Sequence, residues 1–184
     1  TLWHKWIVEH DQWKKAVQGY LASVAFADAM IGRLIAALEK GPMADNTIIV
    51  LWSDHGYHLG HKQHWEKFAL WEQATHVPLI FVDTKTNRAS TKWASGNACQ
   101  QPVSLLDVYP TLVDICGLTK PDRLDGQSLV PLLRNPEQQT DRAVVTTQGY
   151  LNHASRTDNW PYIRYADRTG DPYNHRQAPH DSTT

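Results

Sequence analysis

The strongest constraint on the fold is a short apolar run that ends abruptly in polar residues. Residues 47–52 read TIIVLW, with five apolar positions out of six, which predicts a strand buried on both faces of a sheet. Asp54 and His55 follow directly, and Gly56 lets the chain turn sharply. Because open α/β sheets place their chemistry at the carboxyl ends of buried strands, Asp54 and His55 are the first candidate site residues.

The sequence before this strand predicts a long amphipathic helix. Apolar residues recur at spacings of three and four from Asp11 to Lys40, with Asp11 expected as the N-cap and Gly41-Pro42 as the stop. A helix, a short connection and a buried strand form an αβ unit, so we expect a parallel sheet here. One helix covers only one face of such a strand, which indicates that upstream sequence supplies the other cover.

The central part of the chain predicts a second strand and a second helix. Val77–Val82 is apolar, with Pro78 near its start, which is typical of an edge strand. Residues 105–118 have helical spacing, with Pro110 in the first turn and Gly117 at the end. The segment that follows, residues 120–135, is interpreted as a turn-rich connection.

The C-terminal part of the sequence predicts a different kind of structure. Short strand-like runs at residues 143–147, 153–156 and 160–165 predict a small antiparallel sheet, followed by a polar, frayed tail from residue 167. We therefore expect an α/β part over residues 1–140 and a small antiparallel subdomain with a polar tail over residues 141–184.

Composition excludes several classes of function. The net charge of −1 offers no basic surface for nucleic acid. No stretch of about 18 apolar residues is evident, so no membrane span is predicted. Of the two cysteines, Cys116 lies in an apolar periodic run and is expected to be a buried, inert thiol, whereas Cys99 has no clear assignment.

A metal ion is one interpretation of Asp54 and His55. Hard divalent cations such as Ca²⁺ and Mg²⁺ bind carboxylate oxygens and usually take more than two protein ligands, so these residues would form only part of a shell. The alternative is local: Asp54 caps the turn and His55 makes a short-range hydrogen bond.

Lys67 is the third candidate. Trp65 and Phe68 flank it, and partial desolvation of its ammonium group would strengthen its attraction to sulfate or phosphate. The alternative is a solvated lysine paired with Glu66 or Glu72.

Four histidines recur at every third position near these candidates, namely His55, His58, His61 and His64. A zinc cluster is disfavoured, because side chains three apart converge only on a continuous helix and two glycines interrupt the run. No cysteine lies nearby to complete a structural zinc site.

Several ordered motifs carry a resemblance to a known family. They are TIIVLWSDHGYHLG (47–60), HWEKFALW (64–71), ATHVPLI (74–80), SLLDVYPTLVDICGL (104–118) and LDGQSLVPLL (124–133). With these motifs the chain resembles the sulfatase family of the alkaline phosphatase superfamily, most closely its iduronate-2-sulfatase-like branch. The resemblance implies the C-terminal portion of a mixed α/β sheet flanked by helices, followed by a small antiparallel β subdomain.

The resemblance also implies roles for individual residues. Asp54 and His55 match ligands of a divalent cation, usually Ca²⁺ although Mg²⁺ is an alternative, and Lys67 matches the lysine that contacts the sulfate. His76 lies in a segment that lines the pocket in relatives. Arg156 and Arg164 match a C-terminal segment in which surface pairing on a strand is the simpler interpretation.

The family nucleophile is a formylglycine made from the first residue of a Cys/Ser-x-Pro-x-Arg motif, and this sequence does not encode that motif. His61 also stands where relatives usually carry Glu. The expectation is therefore a sulfatase fragment that is inactive alone, whose nucleophile lies in missing upstream sequence of the same protein.

The expected substrate is a sulfate ester, most simply on a sugar, and the expected compartment is extracytoplasmic: periplasmic, secreted or lysosomal. Two alternatives stay open. One is a phosphodiesterase or phosphonate monoester hydrolase of the same superfamily, and the other is a non-catalytic fragment that binds sulfated carbohydrate.

Overall fold

The computed structural model describes residues 1–84, 93–149, 151–158 and 161–165. The chain divides into two compact units, Thr1–Asn87 and Arg88–Thr184. The division near residue 140 that composition indicates stays a prediction. The predicted tail from residue 167 lies outside the described residues.

The first unit opens with two helices where the sequence predicted one. Helix α1 (Leu2–Glu9) begins at Thr1, whose side chain caps it by accepting a hydrogen bond from the His4 N–H, and helix α2 spans Trp13–Glu39. The predicted N-cap was wrong, because Asp11 adopts φ 51° in the turn between the helices and Gln12 caps α2. Asp tolerates this left-handed conformation better than most residues, so Asp11 is suited to the turn that connects the two helices. The predicted stop is confirmed, since α2 ends just before Gly41.

Helix α2 leaves its apolar side chains in contact with solvent. None of its residues is buried, and Phe26 and Leu34 are 67% and 71% exposed. The prediction that no segment is long and apolar enough for a membrane span was wrong on this criterion, because α2 contains an 18-residue window of mean hydropathy 1.7. Core helices of water-soluble proteins pass the same test, so this property alone assigns no location.

The apolar run forms strand β1 (Ile48–Trp52), which pairs with strand β4 (Leu79–Asp83). The pairing is antiparallel, with Ile48 opposite Asp83 and Trp52 opposite Leu79, so the predicted parallel arrangement was wrong for this pair. The helix that precedes β4, α3 (Glu72–Thr75), has only four residues. It does not carry the chain back along β1, so the chain re-enters the sheet at the end where β1 finishes.

The predicted burial of β1 on both faces was also wrong for this chain. Three of its residues are half-buried, and the last two, Leu51 and Trp52, are 36% and 50% exposed. A two-stranded sheet needs additional elements on both faces to bury such a run. The described residues of this unit leave it partly uncovered. Pro78 directly precedes β4, as the sequence predicted.

Between β1 and β4 lies a small hairpin that matters for the site. Strands β2 (His58–Leu59) and β3 (Trp65–Glu66) are antiparallel, and a short 3-10 turn at His61–Gln63 connects them. Trp13 of α2 packs against this hairpin, with its ring centre 5.2 Å from that of Trp65. Its ring lies so close to Gly60 that a Cβ atom there would be 2.1 Å from the Trp13 side chain.

The second unit contains the predicted helix. A 3-10 turn (Leu105–Asp107) leads into α4 (Val108–Cys116), and Gly117 ends it with φ 63°. The boundaries and the place of Pro110 in the first turn are confirmed. The predicted burial of Cys116 was wrong, because the thiol lies at the end of α4 and is exposed, as is Cys99. The buried side of α4 carries Pro110, Thr111 and Val113 instead.

The rest of the second unit forms one further helix and a meander. Helix α5 (Val130–Arg134) lies in the segment interpreted as a connection, so the sequence analysis missed it. Strands β5 (Val144–Thr147), β6 (His153–Arg156) and β7 (Pro161–Arg164) form the predicted antiparallel sheet in sequence order. Trp160, the predicted start of the last strand, lies outside the described residues.

Asp107 is the polar centre of the second unit. Its side chain is fully buried, and it accepts hydrogen bonds from the Ser104 N–H (2.8 Å), the Gln127 N–H (2.8 Å) and the Arg142 guanidinium (2.7 Å). The backbone N–H groups of Ser104 and Gln127, 23 residues apart in sequence, and one cation therefore meet at a single carboxylate. This contact ties the start of α4 to the segments after it.

We expect Asp107→Ala to lower the free energy of unfolding by about 3 kcal/mol, because it leaves a largely buried guanidinium and two N–H groups without their acceptor. Urea unfolding monitored by circular dichroism measures this change. Asp122→Asn, at an exposed position of the same unit, is the matched control and should change stability by less than about 0.5 kcal/mol. Equal effects of the two substitutions would contradict the assignment.

Candidate active site

The three candidate residues come together at the end of β1. His55 Nε2 lies 3.1 Å from Lys67 Nζ and 3.8 Å from Asp54 Oδ1. Asp54 and His55 follow β1, whereas Lys67 is 12 residues further on, directly after β3. The hairpin therefore returns Lys67 to the strand end, and one imidazole nitrogen lies between a carboxylate and an ammonium group.

The orientation of His55 follows from its other nitrogen. Nδ1 lies 2.8 Å from the Gly56 carbonyl oxygen, which can only accept, so Nδ1 carries the proton and donates. Nε2 then holds a lone pair, which accepts a hydrogen bond from Lys67. An imidazole fixed in this way by a backbone carbonyl presents Nε2 as a ligand for a metal or as a proton acceptor.

Close backbone packing fixes the position of His55. The Gly56 N–H donates to the Ala74 carbonyl (2.9 Å), and a Cβ on Gly56 would lie 2.0 Å from the Gln73 carbonyl oxygen. On the other side, the Ser53 hydroxyl donates to the His55 carbonyl (2.7 Å). The segment that carries Asp54 and His55 is therefore held between the end of β1 and α3.

The donor set at this position fits part of a divalent-cation site. A carboxylate oxygen and an imidazole lone pair 3.8 Å apart can both reach one cation at the usual ligand distances of about 2.3–2.6 Å. Asp54 is 81% exposed and His55 35% exposed on their side chains, which leaves room for further ligands. Among the described residues, no group of three or more His, Cys, Asp or Glu side chains could hold a metal. The two residues would therefore supply only part of a cation's ligand shell.

Lys67 differs from the sequence prediction in its surroundings. The predicted partial desolvation was wrong, because the residue is exposed and its ammonium lies 5.9 Å from the Phe68 ring centre. Its hydrogen-bond partner is His55 rather than either glutamate of the alternative interpretation. An exposed ammonium beside a strand end is accessible to an anion that approaches from solvent.

The histidine run folds in a way that the sequence did not indicate. The rings of His58 and His61 lie 6.1 Å apart, and those of His58 and His64 4.9 Å apart, so they do converge, through a hairpin rather than a helix. His58 is fully buried and His64 is 7% exposed, and both pack edge-on against Trp71. The geometric argument against a zinc cluster, that side chains three apart converge only on a helix, was therefore wrong for this hairpin.

Burial and neighbouring charge keep these two histidines neutral. The pKa of His58 falls from its usual 6.5 to about 4, first because of burial and then because of the charges of His64, His61 and Lys62. Burial also lowers the pKa of His64, and the amino-terminal ammonium group adds to the effect. Close by, burial, Glu66 and Tyr20 raise the pKa of Tyr57, so its hydroxyl stays protonated.

The three residues selected from the sequence, Asp54, His55 and Lys67, lie close together, and their roles stay predictions. The sequence did not indicate the residues that support them. Gly56 packs against the backbone of α3, and His58 and His64 pack beneath the hairpin. The high density of Trp and His residues in this part of the sequence was the available signal. His76, assigned to the pocket by resemblance, is exposed and pairs with Glu72 at 3.5 Å.

Comparisons with known proteins place the chain in a family. Its fold is that of alkaline-phosphatase-like α/β enzymes. The family model described as Sulfatase matches residues 5–118, well over half of the chain, and the chain belongs to the sulfatase family.

Individual relatives agree with this assignment. A protein named Sulfatase from Formosa agariphila is 41% identical over 177 residues, which cover 96% of this chain and 34% of that protein. Human iduronate 2-sulfatase is 36% identical over 128 residues, covering 60% of this chain and 23% of that protein. The resemblance to the iduronate-2-sulfatase-like branch is confirmed. The chain spans about a third or less of the length of these relatives.

A solved structure shows the same likeness. It holds a protein in complex with its substrate, D-glucosamine-2-N,6-O-disulfate, and matches with a TM-score of 0.58 and 28% identity. The match covers 78% of this chain and 30% of that one.

We expect Gly56→Ala to destabilise the protein by about 2 kcal/mol or more, because the added methyl group meets the Gln73 carbonyl at 2.0 Å. Gly32→Ala in α2 is the matched control. The Cβ added at Gly32 has no neighbouring atom within 4 Å, so this substitution should stabilise the helix by up to about 1 kcal/mol. Thermal unfolding of both variants measures the difference. A neutral Gly56→Ala would show that the close approach to α3 does not hold the site.

Stability should also depend on pH through His58. The pKa of His58 is lower in the folded protein than in the unfolded chain, so on acidification the unfolded chain binds a proton first. The contribution of neutral His58 to the free energy of unfolding is therefore fully present above pH 6.5 and is lost as the pH falls toward about 4. In urea unfolding measured across this window, His58→Phe should lose less stability on acidification than the wild type. If both proteins lost the same stability on acidification, the burial of a neutral His58 ring would be contradicted. The charged and titratable groups that face this ring are His61, Lys62, His64 and the cross-strand Glu66.

Proposed function

We propose that this chain supplies part of the active centre of a divalent-metal-dependent sulfatase that hydrolyses a sulfate ester on a carbohydrate. The observation that carries this proposal is the convergence of Asp54, His55 and Lys67 at the end of β1, in a chain of the sulfatase family. Sulfatases as a family generally use a divalent cation. The carboxylate and the imidazole match the donors that such a cation prefers.

Each residue has a role that follows from its chemistry. The Asp54 carboxylate and His55 Nε2 would hold the cation, probed most simply as Ca²⁺. When bound, that cation would withdraw charge from the sulfuryl oxygens. Lys67 contributes up to three N–H donors on a positive charge and would bind a sulfate oxygen. Because negative charge spreads over the sulfuryl group as the ester bond breaks, a fixed ammonium stabilises the transition state more than the ground state.

The nucleophile is expected from polypeptide outside residues 1–184. The sequence has no Cys/Ser-x-Pro-x-Arg motif from which formylglycine is made, and its two cysteines, Cys99 and Cys116, lie in other contexts. Two observations support a larger assembly. The chain matches only about a third or less of its relatives' length, and the apolar side chains of α2 and β1 are left exposed. Residues 1–184 alone are expected to be inactive.

The proposed substrate is a sulfated sugar in an extracytoplasmic compartment. The solved relative bound to a disulfated glucosamine supports a carbohydrate sulfate, although it does not specify which sugar this chain serves. Sulfate and phosphate esters have similar shapes and charges, so the ratio of their turnover rates separates the sulfatase from a phosphodiesterase or phosphonate hydrolase.

In the intact protein that carries this chain, Lys67→Ala and Asp54→Ala should each lower kcat/KM for an aryl or sugar sulfate by about 100-fold or more. A chelator should abolish turnover, and added Ca²⁺ or Mg²⁺ should restore it. Lys5→Ala is the matched control, because Lys5 is an exposed lysine of the same unit that forms a surface ion pair with Glu9. It should leave kcat/KM within twofold.

Three results would overturn the proposal in distinct ways. Unchanged turnover in Lys67→Ala or Asp54→Ala would remove the assigned roles. A kcat/KM for phosphate diesters or phosphonates above that for sulfates would favour the related hydrolase. Binding of sulfated sugar that needs neither metal nor turnover would favour a carbohydrate-binding fragment.

A further inference from the structure

Lys67 lies at the junction between the hairpin and a buried turn. On its N-terminal side, β3 pairs with β2, so that His58 lies opposite Glu66 and Leu59 opposite Trp65. On its C-terminal side, the Ala69 N–H donates to the Lys67 carbonyl (2.7 Å). Ala69 and the next residue, Leu70, are 5% and 3% exposed. The backbone on both sides of Lys67 is therefore held, while its side chain is free to reach His55.

The hairpin holds an unusual amount of left-handed backbone. Lys62, Gln63 and Glu66 have φ values of 53°, 56° and 73°, and none of them is glycine. Residues with side chains adopt this region only when the surrounding structure requires it. Glu66 directly precedes Lys67, so its backbone conformation sets the direction in which Lys67 leaves the strand.

The packing that can impose this conformation comes from three rings. The His58 and His64 rings lie 4.9 Å apart, and both lie within 5.6 Å of the Trp71 ring, each pair edge-on. Among the described residues, no hydrogen-bond partner reaches any of the four ring nitrogens of the two histidines, although both residues are more than nine-tenths buried. The imidazoles thus behave as neutral aromatic rings, with edge contacts typical of such rings.

The rings connect the two sides of the junction that carries Lys67. His58 lies in β2, His64 immediately precedes β3, and Trp71 immediately follows the buried turn. The Gly60 N–H also donates to the His64 carbonyl (2.9 Å), which closes the hairpin over its turn. Loss of a ring would leave a gap beneath the strained residues, and the backbone could relax toward ordinary φ values.

We propose that His58 and His64 are positioning residues for Lys67: packed with Trp71, they hold the hairpin in the strained conformation that directs the lysine toward His55. The inference rests on the proposed function, because it gives these histidines a role only if Lys67 binds the sulfate. Neither ring hydrogen-bonds to a described residue, so the two histidines would act on Lys67 through the hairpin backbone.

A double-mutant cycle on the intact enzyme tests this coupling. His58→Ala should raise KM for an aryl sulfate at least tenfold at pH 7.5, whereas His58→Phe, which keeps a neutral ring, should restore KM to within about threefold of the wild type. In the Lys67→Ala background, His58→Ala should add less than twofold, because the residue through which it acts is gone. Circular dichroism at the assay temperature verifies that each variant is folded.

The matched control is His10→Phe. His10 is an exposed histidine of the same unit, stacked on Trp6, and its replacement should leave KM unchanged in both backgrounds. If His58→Ala does not fold, the same cycle with His64→Ala tests the second ring of the cluster.

Each outcome has one meaning. Full additivity of His58→Ala and Lys67→Ala would overturn the positioning role, since a residue that serves only general stability lowers activity independently of Lys67. An unchanged KM in His58→Ala would overturn it as well. Unchanged turnover in the Lys67→Ala single variant would contradict the proposed function itself. The single variant is therefore measured before the double-mutant cycle, so that the two hypotheses are tested separately.

Discussion

The candidate site depends on the close approach of Gly56 to the backbone of α3. With no side chain at this position, the Gly56 N–H reaches the Ala74 carbonyl and the Gly56 carbonyl accepts from His55 Nδ1. The first bond fixes the chain just after β1, and the second fixes the imidazole. As a result, Nε2 faces both the Asp54 carboxylate and the Lys67 ammonium. A glycine that appears in the sequence as a simple turn residue therefore determines which nitrogen of His55 is available for chemistry.

Under the proposed function, two features of the chain call for additional polypeptide. Among the described residues, the proposed site offers two ligands where a hard cation usually takes six to eight, and residues 1–184 do not encode the motif of the family nucleophile. The apolar surfaces of α2 and β1 are exposed where a buried strand and its helix would normally be covered. Additional polypeptide packed on the first unit would cover the exposed apolar surface and could supply the remaining ligands and the nucleophile. The apolar surface and the chemistry then have one common explanation.

Features with strong local determinants could be predicted from the sequence. Pro78 before β4, Gly117 after α4 and the strand end at Asp54 and His55 each depend on the conformational limits of one or two residues. Lys67 was selected because aromatic residues flank it in the sequence, and the resemblance then gave it a role. The expected desolvation was wrong, because Lys67 is exposed.

The features that were missed depend on contacts between distant segments. The antiparallel partner of β1 is 27 or more residues away, and the burial of His58 against Trp71 requires the hairpin to close. The spacing of the histidines was judged by helix geometry, although they lie in a hairpin. Cys116 was predicted to be buried because its sequence neighbours are apolar, and it is exposed. Burial in each case is a property of the whole unit, so periodicity could not establish it.

The central claim is that Asp54 and His55 are ligands of a divalent cation, and calorimetric titration of the intact protein with Ca²⁺ tests it most directly. Wild-type protein should bind Ca²⁺, and Asp54→Asn should weaken that binding at least tenfold, because a charged oxygen ligand is lost. Asp28→Asn, at an exposed aspartate of α2, should bind like the wild type. Equal affinity of the wild type and Asp54→Asn would contradict the claim.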